Sequence, residues 1–335
     1  MMVTLQEISN ELHISKSLVS KIANNRYVRV SDDVRVKVLE KIREYNYVPN
    51  RAATALNSKK MYLIACIVTN LSYHYFPELV SYIEQYAFSL GYNVVLCNVA
   101  EDVKREKKYL EMYSSGLFDG ILATSSDGIS NTELYKRIHD EDFPIVFVDR
   151  YVPNIGISFV TTDNRAGANI LTRKLIQSGH KKICFLGYKF ANHTVVQGER
   201  FSGYEQAMLE ENFIPRMVYM DGDSSENLQM IFNAPDERPT AIVMISSWQI
   251  QGVLHLCRKY MLRIPRDFEI ATFDDFQLPF NTAEEIQNAK MLDSPMLILR
   301  QDVKAVAAAA LEVLLREIDG DRQNVQKIIQ PLLDW

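Results

Sequence analysis

Apolar residues in the first sixty positions recur at helical spacing in three short segments. Leu5, Ile8 and Leu12 fall at i, i+3 and i+7, one face of a first helix. Thr4 stands three residues before Glu7, the spacing at which each side chain satisfies the other's backbone donor. A turn through His13, Ile14 and Ser15 follows, with Ser15 placed to cap a second helix from Lys16 to Ala23. Val19 and Ile22 face inward there; Lys16, Ser17, Ser20 and Lys21 remain on the outer face. A third helix, capped by Ser31, has Asp32 and Asp33 in its first turn and carries the stripe Val34, Val38, Ile42 and Tyr45, with Asn46 as a left-handed stop. Two short helices joined by a three- to four-residue turn predict a helix-turn-helix whose second helix enters the DNA major groove.

From Tyr62 the pattern changes. Short apolar runs predict strands at Tyr62–Thr69, Tyr92–Asn98, Phe118–Thr124 and Pro144–Asp149, with Ile157–Thr161 closing a first subdomain. Amphipathic helices at Pro77–Leu90, Val103–Ser115 and Asn131–Glu141 separate them. A second set repeats the alternation. Its helices are one capped by Asp163 and stopped at Gly179, then Glu199–Glu211 and Trp248–Tyr260. Its strands are Lys182–Gly187, Met217–Asp221, Thr240–Ser246 and Phe268–Phe273. Ala289–Leu292 and an Ala-rich helix Met296–Ile318 then return to the first subdomain, and Val325–Leu333 supplies an edge strand. Strand–helix alternation predicts doubly wound parallel sheets.

Open parallel sheets bind ligands beyond the C-terminal ends of their strands. That rule selects Thr69, Asp149, Ser246 and Asp274, with Arg200 opening a helix and able to reach across. The plainer alternative is that the two Asp residues cap loops and Arg200 pairs with Glu199 or a nearby Asp.

Charge sharpens the division. Residues 1–60 carry 11 Lys/Arg against 6 Asp/Glu, whereas the remainder carry 26 against 36. A basic head on an acidic body suits a protein that presents one end to phosphates. The start of the chain does not read as a signal peptide, and no apolar run is long enough to span a membrane, so a cytoplasmic protein is expected. Cys66, Cys97, Cys184 and Cys257 lie in apolar contexts without CxxC spacing and are expected to be buried reduced thiols. The histidines lack metal-ligand spacing, and no nucleophile–base pair or P-loop suggests catalysis, so no metal, no cofactor and no enzymatic activity are expected.

The head resembles that of the LacI/GalR family of bacterial transcriptional regulators. The residues that carry the resemblance are Thr4-Leu5, Ser15 with Val19-Ser20-Lys21, Asn24, Val30-Ser31, Arg35, Val38, and Tyr47-x-Pro49-Asn50-x-x-Ala53-x-x-Leu56. Further matches run through the body: Phe118-Asp119-Gly120-Ile121, Asp149-Arg150, Asp163-Asn164-x-x-Gly167, Gly179-His180, Glu199-Arg200-x-x-Gly203-Tyr204, and Ile264-Pro265-x-Asp267 leading to Phe273-Asp274-Asp275. Five positions depart from the usual pattern. His13 stands where the family has Gly, Lys21 where it has Arg, Leu18 where it has Thr, and Ser246-Ser247 where it has Asn-Asp. His is among the residues enriched at positive φ, so the turn at position 13 is expected to survive.

The resemblance implies an all-α three-helix head at 1–48, a hinge helix at 49–60, and an α/β body at 61–335 of two Rossmann-like, periplasmic-binding-protein-like lobes. Lobe one would span about 61–160 and 290–335, lobe two about 161–289. It implies DNA contacts from Thr4, Ser15, Lys16, Ser17, Leu18, Ser20, Lys21, Asn24, Asn25, Arg29, Tyr47, Asn50, Ala53 and Leu56. The hinge would fold in the minor groove with Leu56 as a wedge, although in isolation such a segment reads as an ordinary linker. The implied effector residues are Thr69, Asp149, Arg200 and Asp274, with Tyr75 and Phe76 stacking on the ligand; Ser246 adds to these by the strand-end rule. The expected protein is a repressor of a carbohydrate-utilisation operon. It binds a palindromic operator as a homodimer through the helices Pro77–Leu90 and Trp248–Tyr260, and answers to a sugar-like effector. The chain lacks the C-terminal extension by which one member tetramerises, so a dimer is expected. A regulator controlled by a protein co-repressor is the alternative.

Overall fold

The computed structural model describes residues 3–23, 27–45, 47, 60–72, 74–189, 194–220, 229–230, 232, 238–275 and 296–332. The chain divides into two compact units, Met1–Met61 and Tyr62–Trp335.

The first unit holds helices α1 (Leu5–Glu11), α2 (Lys16–Ala23) and α3 (Asp32–Glu44) around a small core of Ile8, Val19, Ile22 and Val38. The capping box at its start is formed. Glu7 N–H donates to Thr4 Oγ1 at 3.3 Å, and Thr4 N–H donates to Glu7 Oε2 at 2.6 Å. His13 takes φ 54°, the left-handed conformation that turns α1 into α2. Ser9 is buried and ties off that turn: its hydroxyl donates to the Ile14 carbonyl at 2.6 Å. Ser15 caps α2 by accepting from Leu18 N–H at 3.2 Å. Ser31 occupies the cap position of α3 but makes no side-chain cap bond, contrary to expectation; Asp32 and Asp33 in the first turn face the helix dipole instead. Asn46 and the expected hinge helix at 49–60 lie outside the described residues.

The second unit contains two parallel sheets. The strands of the first are β1 (Leu63–Val68), β2 (Asn93–Asn98), β3 (Gly120–Ala123), β4 (Ile145–Val148) and β5 (Ser158–Thr162), joined by β11 (Gln326–Ile329) in the order β11-β5-β4-β3-β1-β2. Helices α4 (Tyr75–Ser89), α5 (Val103–Leu110), α6 (Thr132–Asp140) and α10 (Val303–Ile318) cover it. The second sheet runs β10-β9-β8-β6-β7, from β6 (Ile183–Tyr188), β7 (Met217–Met220), β8 (Ala241–Met244), β9 (Glu269–Phe273) and β10 (Leu297–Leu299). Its described helices are α7 (Asn164–Gln177), α8 (Val195–Glu210) and α9 (Ile250–Tyr260). Among the described residues the named strands all pair in parallel, and near-continuous burial of β3, β4, β5, β6 and β8 is what a sheet covered on both faces requires. Both lobes share one winding, in which the second strand sits outside the first and the third, fourth and fifth run away on the other side. Each therefore has a switch point between its first and third strands.

Three expectations are corrected. Met296–Ile318 is not one helix: Leu297–Leu299 pairs with β9 in the second sheet, and α10 starts only after Asp302, which caps it. The second lobe's sheet therefore extends to residue 299, past the expected boundary near 290. Helix α8 begins at Val195, capped by Thr194, so Arg200 lies in its second turn rather than opening it. Val103–Ser115 is an α-helix to Leu110 followed by a 3₁₀ turn. Ala289–Leu292 lies outside the described residues.

Candidate functional site

The strand ends of the two lobes in the second unit bring together most of the residues chosen by the strand-end rule. Thr69 follows β1 and Ser246 lies just beyond β8, each beside its lobe's switch point. Asp149 follows β4 and Asp274 follows β9, the equivalent strands of the two lobes. Their backbones match too: φ is 66° at Asp149 and 64° at Asp274. A left-handed residue directly after a strand turns its side chain out of the pleat, and Asp accepts that conformation at modest cost.

Arg200 stands between the two carboxylates electrostatically. The residue is 3 % exposed. Nε donates to Asn164 Oδ1 at 2.7 Å, Nη1 donates to the Ile245 carbonyl, and the plane lies 3.6 Å from the centroid of the Phe273 ring. Burial lowers its pKa, opposed by Asp274 and Asp149. Burial pushes Asp274 up to about 6, opposed by Arg200 and by the Gln301 amide, which donates to Asp274 Oδ2 at 2.8 Å. Burial also raises Asp149, opposed by Arg150 and Arg200. Tyr75 is raised well above the ordinary phenol range by burial and by Asp149 and Asp274, which places its hydroxyl in the same field. These mutual effects mark a single site to which both lobes contribute. Of the plainer alternatives for Arg200, pairing with Glu199 is not seen, since its direct contacts are with Asn164, Ile245 and Phe273 and Glu199 is exposed, while the nearby Asp residues act on it through their charge.

The hydrogen-bond accounting at this site is incomplete. Thr69 Oγ1, Tyr75 OH and Gln301 Oε1 are buried and have no hydrogen-bond partner among the described residues. A buried polar atom without a partner costs about 1–3 kcal/mol. Gln301 is bonded to Asp274, Tyr75 lies in the field of both carboxylates and of Arg200, and Thr69 ends β1 at the first-lobe switch point; a polar ligand at these strand ends would satisfy such donors and acceptors. Phe76 is placed differently. It is 2 % exposed and packs in the first-lobe core, with Arg150 5.8 Å above its ring, so its face is occupied by protein. Ser246 takes an extended conformation at the cap of a 3₁₀ turn without a side-chain cap bond, and its neighbour Ser247 donates to the Asp275 carbonyl at 3.0 Å. Trp248 packs against Tyr188, ring centroids 5.0 Å apart.

Gln301 was missed by sequence reasoning because its surroundings were taken as helix interior. The signal was Asp302, a helix-capping residue directly after the Leu297–Leu299 run. Asn164 appeared only as a motif residue; the structure buries it against Arg200.

In the first unit, Lys16, Ser17 and Lys21 are exposed along α2, and Thr4, Ser15 and Arg29 are exposed around it. Leu18 and Tyr47 are partly buried against the head core. Ser20 is partly buried. Asn24, Asn25, Asn50, Ala53 and Leu56 lie outside the described residues.

The four cysteines are free and buried, with burial raising each thiol, Cys66, Cys184 and Cys257 to about 12 and Cys97 to about 11. Among the described residues no group of His, Cys, Asp and Glu could hold a metal ion, and no helix is long and apolar enough to cross a membrane.

Residues 62–305 match the family model described as periplasmic binding proteins and sugar binding domain of the LacI family. The chain is 27 % identical over 320 residues to the ribose operon repressor of Halalkalibacterium halodurans, covering 95 % of this chain and 91 % of that protein. A crystal structure of a putative ribose operon repressor from Burkholderia thailandensis superposes with a TM-score of 0.70 at 26 % identity, covering 81 % of this chain and 98 % of that one. The lac repressor dimer bound to operator and the anti-inducer ONPF shares the fold, with a TM-score of 0.79 at 21 % identity over 99 % of this chain and 97 % of that one. These relatives are transcriptional regulators rather than enzymes, and with the family model spanning both lobes, this chain belongs to the LacI family of transcriptional regulators.

Proposed function

We propose that this regulator represses a carbohydrate-utilisation operon, and that a sugar or sugar derivative held between the lobes controls its hold on the operator. The observation that carries the effector reading is the set of buried polar atoms without partners among the described residues, Tyr75 OH and Gln301 Oε1 beside Arg200 and the two carboxylates and Thr69 Oγ1 at the end of β1. A polyol supplies alternating donors and acceptors at close spacing, which is what such a mixed set requires. Ser246 stands beside this set at the second switch point and would contribute a hydroxyl. The ribose operon repressors among the relatives support the ligand class.

On the DNA side, α2 presents Lys16, Ser17 and Lys21, and the major groove receives it N-terminus first. One such helix reads few base pairs, so a two-fold dimer on a palindrome gives adequate specificity. Exposed Phe88, Leu90 and Leu96, on α4, its end and the edge strand β2, support a homodimer face in the first lobe. The hinge at 49–60 would order in the minor groove with Leu56 as wedge, and effector binding would disfavour that order. The protein works where its DNA is, in the cytoplasm.

The test is titration of the full chain with D-ribose, D-glucose and cellobiose, read by calorimetry, alongside Arg200→Ala. The reading expects one of these sugars to bind the wild type, and expects the substitution to weaken it by roughly 10–100-fold, the cost of a hydrogen bond to a charged group. Binding that is unchanged in Arg200→Ala would place the ligand elsewhere.

A further inference from the structure

We propose that Asn164 is the positioning residue for the cleft arginine: it fixes the Arg200 fork and does so with a neutral group, leaving the charge of Arg200 for the ligand. The proposal deepens the effector reading above and rests on it for its functional consequence.

Asn164 is the first residue of α7, directly beyond the crossing from β5 into the second lobe. It is 4 % exposed. Its Nδ2 donates to the Thr162 carbonyl at 3.0 Å and to Thr161 Oγ1 at 3.4 Å, both on β5 of the first sheet. Those bonds leave the amide oxygen facing Arg200 Nε at 2.7 Å. The orientation is over-determined: flipped, the amide would set its NH₂ against the Nε–H and its oxygen against a carbonyl.

The same contact depends on how closely α7 and α8 approach. A Cβ on Gly203 would sit 2.0 Å from the Arg165 carbonyl oxygen, and Asn169 Nδ2 donates to the Gly203 carbonyl at 3.2 Å. At that separation a short Asn side chain spans from one helix to the arginine of the other. Arg200 is then held three ways, by Asn164 at Nε, by the Ile245 carbonyl at Nη1, and by the Phe273 ring on its face. The Nη2 edge of the fork is not used by the described residues.

An Asp in place of Asn164 would keep the acceptor for Nε, now as a direct ion pair and a third carboxylate after Asp149 and Asp274, but would turn its second oxygen against the Thr162 carbonyl. The amide avoids this. Asn164 also links lobes: one end of its amide is on the crossover strand β5 and the other on Arg200. A ligand that draws Arg200 toward itself therefore pulls on the crossover.

The test uses the full chain with ¹⁵N-labelled arginine, reading the Arg200 Nε–Hε signal without ligand, assigned by its loss in Arg200→Lys. Asn164→Ala should shift that signal and speed its hydrogen exchange roughly 10–100-fold, while Asn164→Asp should keep it protected. A signal that stays protected in Asn164→Ala overturns the proposal. Should Asn164→Ala fail to fold, Asn164→Asp and Asn164→Ser carry the test, the Ser variant being too short to reach Nε and expected to lose protection. The second readout is binding of D-ribose, D-glucose or cellobiose, which Asn164→Ala should weaken at least tenfold. A wild type that binds none of the three counts against the sugar reading of the cleft, and the arginine signal still decides on Asn164.

Discussion

Asp149 and Asp274 are related by the repetition of one winding in two lobes, and both place a carboxylate at a left-handed residue beyond the fourth strand. Their environment raises both above the usual carboxylate range. The consequence for stability follows from the sign. Asp274 binds its proton more tightly in the folded chain, so the folded state gains from protonation. That gain is complete below the unfolded value near 4 and is lost as pH rises through about 6. Asp274→Asn should therefore remove a decline in melting temperature between pH 4 and pH 6.5, worth on the order of 2–3 kcal/mol across the window. Identical pH profiles for wild type and variant, measured by scanning calorimetry, would show that Asp274 is solvated normally. These residues were legible in the sequence because parallel strands announce where their C-terminal ends lie. Asn164 and Gln301 were not, because they act through the three-dimensional proximity of a crossover to a helix, which no local pattern encodes.

Elements were read well where the period was long and the caps were present. The strand β10 was lost because three apolar residues before an Ala-rich run carry no period of their own. The start of α8 was lost because Thr194 and Gln197, three apart, form a cap signature inside a polar stretch. The packing of α7 on α8 yields a paired prediction. Gly203→Ala places a Cβ against backbone at 2.0 Å and must push the helices apart, at a cost of roughly 1–3 kcal/mol or more, typical of overpacking. Gly198→Ala, one turn and a half earlier on the same helix, meets nothing within 4 Å and should stabilise by about 0.5–1 kcal/mol through helix propensity. Denaturant melts of the two variants should move in opposite directions; a shift of the same sign would mean that α8 is not packed on α7 as described. At the head, Thr4→Ala removes one half of a formed capping box and should cost about 1 kcal/mol.

At the scale of the whole molecule, the hinge at 49–60 is proposed to couple a DNA-reading head to a ligand-reading body. Coupling in such proteins is of order 1–3 kcal/mol, which changes operator affinity by about 5–150-fold. If the hinge carries it, Leu56→Ala should weaken specific operator binding strongly while leaving sugar affinity within about twofold. Equal operator affinity in that variant, measured by fluorescence anisotropy, would remove the wedge from the account. The uneven charge, basic in residues 1–60 and acidic beyond, makes this division readable in the sequence. The effector was not readable, because its identity depends on how side chains from two lobes meet.

The most direct measurement passes fragmented genomic DNA from the source organism over the purified full chain at moderate salt. Retained fragments are sequenced with and without a sugar that binds the cleft. The account predicts a recurring palindrome upstream of carbohydrate-utilisation genes, with a retention that the sugar alters. Diffuse retention that fades with salt and ignores the sugar would mean phosphate contact only, and would contradict it.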